Sequence, residues 1–164
     1  MLLVGDTGPA GLIELRGLLG RYQLKFALLP LECTIPGSHW GAPEAGLIAT
    51  TLYARPDTPV HSVLHETCHF VCMDDARRQR LNSTAGGTAL EECAVCYLSI
   101  LLADHVPGYQ RTRMLADMDA WGYSFRLGSA GRWFAEDADD ALQWLRKRGL
   151  VDAGDQPVWI LRET

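Results

Sequence analysis

The chain has 164 residues, of which 48% are hydrophobic and 21% charged, and a net charge of −5. That length suits one compact domain with a real core, and the balance is that of a soluble globular protein, neither disordered nor membrane-like. Mild acidity without a basic run argues against nucleic acid as a main partner, and no stretch approaches the ~18–20 apolar residues of a membrane span.

The opening MLLVGDTGPAGLIELRG lacks the basic start and the apolar run of a secretory signal, so a cytoplasmic location is expected. The five cysteines, Cys33, Cys68, Cys72, Cys93 and Cys96, are then expected to be reduced, and their odd number excludes a complete internal disulfide framework.

In chain order, apolar residues at 12, 15, 18 and 19 predict a short amphipathic helix over Pro9–Leu19. KFALLPL, residues 25–31, reads as a buried strand, and TIPGSHWGAPEAG, rich in glycine and proline, as loop. LIATTLYAR, residues 47–55, is β-branched and aromatic and reads as one strand, closed by RPDTP. Thr58 is placed to cap the next helix, with Pro59 at its first position, and that helix is expected to run to about Arg80. NSTAGG, residues 82–87, is expected to be loop.

A helix from Thr88 to about His105 is apolar almost all round and should be buried. VPGYQ breaks it. RTRMLADMDAW suggests a further helix ended by Gly122, followed by helical stretches near 130–134 and 137–148 with Gly149 as a stop. QPVWILRE suits a short terminal strand. Helix, strands and then several helices predict an α+β fold across residues 1–164, with a small sheet packed on the helix after Pro59.

That helix carries HSVLHETCHFVCM, residues 61–73, and within it the HExxH sequence His65-Glu66-Thr67-Cys68-His69. Residues four apart on a helix lie about 40° apart round the axis, so both imidazoles can reach one tetrahedral cation. Glu66, about 100° from His65, is offset from ligation but placed to take a proton from a water at the metal. Val60, Val63, Leu64, Cys68 and Val71 fall on the opposite side, which turns the polar edge towards a cleft.

The arrangement resembles the zincin metallopeptidases, in particular the gluzincins, over about residues 46–104. The resemblance implies a zincin-like domain holding one Zn²⁺ by His65, His69 and a glutamate of the following helix, with Glu66 as general base in peptide hydrolysis. It also implies a peptide or protein substrate laid along the strand before the motif helix, here LIATTLYAR, by β-augmentation. Family members often carry Glu-x-x-(Ala/Ser)-Asp at the third ligand. Of Glu91 and Glu92 in LEECAVC, Glu91 fits that phase through Ala94, so Glu91 is the expected ligand. Val95 then stands where the family has the aspartate that supports a ligand histidine, and Asp117 or Asp119 are candidates to replace it. WGAPEAG, the motif helix and DMDAWGYSFRLGSA together also resemble a group of uncharacterised bacterial proteins, which implies no activity.

Other readings stand beside this one. Cys93 and Cys96 form a CxxC pair that, with HxxxH, is a Cys₂His₂ set for a structural metal; a non-catalytic interaction domain, with that metal or none, is the alternative function. His61 reads as a surface or cleft-edge residue, and Cys68 and Cys72 as packing. Asp74-Asp75 and the following RRQR read as a solvated helix end. Among Arg55, His105, Tyr123 and Arg126, each able to stabilise an oxyanion, Tyr123 in WGYSFR is chosen because it follows a helix break.

Overall fold

The structure, a computed structural model, describes residues 1–82 and 86–164; residues 83–85 of the expected 82–87 loop lie outside them. The fold is α+β, a three-stranded sheet and seven α-helices among the described residues. After a 3₁₀ turn at Val4–Thr7 comes α1 (Gly8–Arg21), with Pro9 in its first turn and Leu15, Leu18 and Leu19 buried on one face. This confirms the amphipathic reading and extends it by a residue or two at each end. β1 is Lys25–Leu28, cut short by Pro30, which cannot donate to a ladder.

The expected strand at 47–55 is two strands. β2 (Gly46–Ile48) and β3 (Thr51–Ala54) pair antiparallel across a turn at Ala49-Thr50, where Ala49 takes a left-handed φ of 50°. β1 joins β3 in parallel, giving the order β1-β3-β2. β3 is therefore central, and both its edges are paired. The loop before β2 lies against that strand, so a Cβ added at Gly46 would fall 2.1 Å from the Pro36 carbonyl oxygen and 2.4 Å from the Ser38 nitrogen. LIATTLYAR thus offers no free ladder along β3, and the expected β-augmentation there is corrected. A period-2 run does not reveal a two-residue reversal that uses neither Gly nor Asn.

The motif helix α2 spans Val60–Cys72, and Val60, Val63, Leu64, Cys68 and Val71 are all fully buried, packed with Leu47, Leu52 and Ala54 of the sheet in one core. Pro59, not Thr58, is its N-cap residue; the Thr58 hydroxyl instead accepts the Arg55 N–H and closes the RPDT turn. The helix also stops well short of Arg80. Asp74 accepts the Arg77 N–H and caps a separate α3 (Asp75–Gln79).

The break is held by arginines rather than by solvent. Arg78, buried, donates to the carbonyls of Phe70 and Met73, and to Asp75 and the Arg162 carbonyl. Arg162 donates from its backbone to Val71 O (3.0 Å) and from its guanidinium to Cys72 O (3.0 Å). The last carbonyls of α2, which a helix leaves unpaired, are thereby satisfied. Arg77 and Arg78 of RRQR are accordingly engaged rather than solvated, while Gln79 and Arg80 are exposed as expected. The terminal segment forms only a single bridge, Val151 with Pro157, and not the expected strand.

α4 (Ala89–Ala103) begins at Thr88, whose hydroxyl accepts the Glu91 N–H, and it is buried from Ala94 to Ala103. It packs along α2, and α5 (Gln110–Trp121), α6 (Ala130–Glu136) and α7 (Asp139–Lys147) close the far side. Gly122, at φ 101°, ends α5 in the left-handed conformation that a C-terminal glycine supplies without steric cost. No helix among the described residues is long and apolar enough to cross a membrane.

Candidate metal centre

One helical turn separates His65 from His69, and their Nε2 atoms lie 3.1 Å apart, both on the edge of α2 that faces α4. Glu92 of α4 meets them, with Oε1 3.1 Å from His65 Nε2 and Oε2 3.3 Å from His69 Nε2. With metal–ligand bonds of about 2.0–2.1 Å, ligand atoms at the corners of a tetrahedron stand roughly 3.3 Å apart. The two imidazole nitrogens therefore already have the spacing of two ligands of one cation, and Glu92 approaches each of them with a different carboxylate oxygen.

Glu91 is not part of this cluster, which corrects the expected ligand. Its buried carboxylate takes a two-pronged bond from Arg77 (Nη2 to Oε1 2.7 Å, Nη1 to Oε2 2.9 Å) and a third from Arg162 (3.1 Å). Successive residues on a helix lie about 100° apart, so when one of the pair faces α2's histidines the other must face elsewhere. Gly87 makes room for that bond, since a Cβ there would sit 2.6 Å from Glu91 Oε1.

With Glu92 as the ligand, the residue four further on is Cys96, not Val95. Cys96 Sγ lies 4.0 Å from His65 Nδ1, the ring nitrogen turned away from His69 and Glu92. One cation cannot bond both nitrogens of one ring, so Cys96 stands behind the ligand and its thiol is the acceptor that an Nδ1–H needs. Asp117 and Asp119 do not serve there. Asp117 accepts from the Leu2 N–H and the Tyr109 hydroxyl, and Asp119 from the Ala130 N–H.

Two groups of side chains have potential ligand atoms within 4.8 Å of one another, His65/Glu66/His69 and His65/Glu92/Cys96; Cys93 belongs to neither, so the Cys₂His₂ set is not assembled among the described residues. Cys68 and Cys72 are fully buried in the core, as expected of packing residues.

The electrostatics of the site are divided. Burial drives the His69 ring down to about 3, with His65 adding to the effect. Burial opposes protonation of His65 as well, but Cys96 and Glu92 outweigh it and hold that ring well above the usual value. Burial, reinforced by Glu44 and Glu92, pushes the Glu66 carboxyl up to about 7, close to the value at which a group both accepts and releases protons at neutral pH.

The cleft over these residues has a volume of about 490 Å³. One wall is the loop carrying His39, Trp40 and Glu44, fastened by Ala45 N–H to Ser62 Oγ (3.0 Å) and by Trp121 Nε1–H to Glu44 Oε1 (3.0 Å). Trp121, Gly122 and Tyr123 also line the cleft. Tyr123, chosen on sequence, stands in the cleft with its ring 5.7 Å from that of His65. The other oxyanion candidates are engaged elsewhere: Arg55 with Asp57, Arg126 with Asp137, and His105 against the Trp159 ring. His61 is fully buried beneath the cleft, not at its edge. Glu44 and Trp121 were missed on sequence, and Cys96 was read there only as half of the CxxC pair; the i, i+4 spacing of Glu92 and Cys96, matching that of His65 and His69, is the signal for its place behind His65.

His65, Glu66, His69 and Glu92 lie on two packed helices beside an open cleft, and they include side chains that could hold one metal ion. Comparison with family models, characterised proteins and solved structures finds no match to this chain.

Proposed function

We propose that the chain is a zinc-dependent hydrolase of peptide or related amide bonds with a gluzincin-like site, in which His65, His69 and Glu92 hold one Zn²⁺. The approach of the two Nε2 atoms to 3.1 Å, with a Glu92 carboxylate oxygen 3.1–3.3 Å from each, is the observation that carries this reading. Two neutral nitrogens and one carboxylate suit zinc and leave a tetrahedral ion one open position, the pattern of catalytic rather than structural sites. Bound there, the ion supplies a Lewis acid for the scissile carbonyl and acidifies a water.

The chain's own residues do the rest. Glu66, grouped with both histidines but bonded to neither, takes the proton of the attacking water and passes it to the departing amine. Tyr123 keeps its proton, because burial, with Cys96 and the carboxylates Glu44, Glu66 and Glu92 nearby, raises it far above the ordinary phenol. Its O–H is therefore a donor for the oxygen on which negative charge develops. The walls at Trp40 and Trp121 flank an extended segment of substrate, in place of the sheet edge.

The test is zinc content together with mass-spectrometric scanning of a peptide mixture, for the wild type, Glu66→Gln and Glu92→Gln. One zinc per chain and new cleavage products are expected for the wild type. Glu66→Gln should keep the zinc and lose roughly 10²–10⁴ in rate. Stoichiometric zinc with no cleavage by the wild type would point instead to a non-catalytic metal-bearing domain.

A further inference from the structure

His61 lies one turn before His65 on α2, fully buried, with its ring between those of Trp121 (5.4 Å) and Tyr123 (5.4 Å). Its single polar contact is Nδ1 to the Tyr123 hydroxyl at 3.2 Å; Nε2 is buried with no partner among the described residues. A histidine in so apolar a seat costs more than a phenylalanine would, unless the one bond it makes is of use.

A neutral imidazole has one N–H and one bare nitrogen, so the contact has two forms. In the first, the Tyr123 O–H donates to Nδ1. The phenol's proton is then turned away from the cleft, and an Nε2–H is buried with no acceptor. In the second, Nδ1–H donates to the phenol oxygen, Nε2 presents only a lone pair, and the phenol's proton is free to point at the metal centre. Orphaned buried donors are the rarer defect in folded proteins, while acceptors short of a partner are better tolerated. The second form is therefore the favoured one. Burial pulls the ring down to about 4, so it is neutral at ordinary pH and carries only that one proton.

We infer that His61 is a positioning residue: its Nδ1–H holds the oxygen of Tyr123 and directs the phenol's O–H into the cleft, towards the oxygen of a bound carbonyl. The functional half of this inference rests on the hydrolase reading above; the hydrogen-bond half does not. The Tyr123 hydroxyl is thereby committed to donate outward before substrate arrives, which avoids reorientation as charge develops.

The experiment is long-range ¹H–¹⁵N NMR of the histidine rings in the intact, metal-free, ¹⁵N-labelled chain near neutral pH. The His61 signals are assigned by their loss in His61→Gln. The expected result is a protonated Nδ1 and a bare Nε2 for His61, reverting to Nε2–H in Tyr123→Phe, where the acceptor is gone. A protonated Nε2 in the wild type would overturn the inference without reference to any activity. In the zinc-loaded chain, His61→Phe should lower kcat for a cleaved peptide by roughly tenfold or more, with KM and zinc content unchanged. His61→Gln, whose amide can still donate, should recover part of that loss. An equal loss in both variants, or a change confined to KM, would count against positioning. If the wild type cleaves no peptide, the hydrolase reading fails, while the ring tautomer still decides the His61 bond.

Discussion

Glu92 Oε1 stands 3.1 Å from His65 Nε2, although Glu92 is half exposed and its neighbour Glu91 is buried. The buried acid is the structural one, and the exposed acid faces the cleft. Glu92→Gln replaces a charged donor by a neutral amide at the candidate third ligand and is expected to abolish stoichiometric zinc binding, read by metal analysis after dialysis. Glu91→Gln should retain one zinc per chain. The reverse pattern would return the ligand role to Glu91.

Glu91→Gln should instead cost stability. It leaves Arg77 and Arg162 without their shared carboxylate, at a place where the terminal segment is tied to the end of α2. Removing one partner of a buried ion pair typically costs about 3–5 kcal/mol, and partial exposure of both arginines puts this case at or below the low end. Urea unfolding of the metal-free chain measures it. A midpoint equal to that of the wild type would show that the Glu91 cluster is not holding the helix ends together.

The placement of most helices was legible because their ends carry local chemistry, such as Thr88 before α4 and Gly122 after α5. HExxH was legible because both histidines and the glutamate are fixed by the phase of one helix. The choice between Glu91 and Glu92 was not, because α4 is apolar nearly all round and no polar edge marks the face it turns to α2. The Thr88 hydroxyl accepts the Glu91 N–H, but the Glu91 carboxylate goes to Arg77 and Arg162 rather than back to Thr88, so its structural place depends on partners outside α4. The end of α2 depended on Arg78 and Arg162, the latter 90 residues beyond Cys72, and no local signal reports such a partner. His61 was hidden for a related reason, since its cover comes from Trp121 and Tyr123, beyond α4.

Cys96 supports His65 through a soft, weak contact where a carboxylate would make a strong one. Loss of a group behind a metal ligand commonly costs 10- to 100-fold in affinity, and a thiol should fall near the lower bound, about tenfold, in Cys96→Ala. Competition for zinc against a chromophoric chelator measures this. Cys93→Ala, at a half-buried position outside both ligand groups, should leave the affinity unchanged. Equal losses in the two variants would restore the CxxC pair as a metal-binding unit.

Acidification should destabilise the metal-free chain through His61. Its folded value, about 4, lies below the ordinary value near 6.5, because burial disfavours the charged ring more than the attraction of Asp117 favours it. Below about pH 6.5 the unfolded chain therefore binds a proton that the folded chain refuses, and stability must rise with pH across this window. The His61 contribution is fully present above about pH 6.5 and is lost as the pH falls towards 4. A shift from 6.5 to about 4 corresponds to about 3 kcal/mol. His69, also held low by burial, acts in the same direction, whereas His65, held high, opposes both. The difference between wild type and His61→Phe isolates the one group, since the other two titrate in both proteins. Urea unfolding without metal at about pH 7 and about pH 4.5 should show the variant losing some 2–3 kcal/mol less than the wild type. Parallel losses would mean that His61 takes up its proton without unfolding the chain, and that its seat between Trp121 and Tyr123 opens to water.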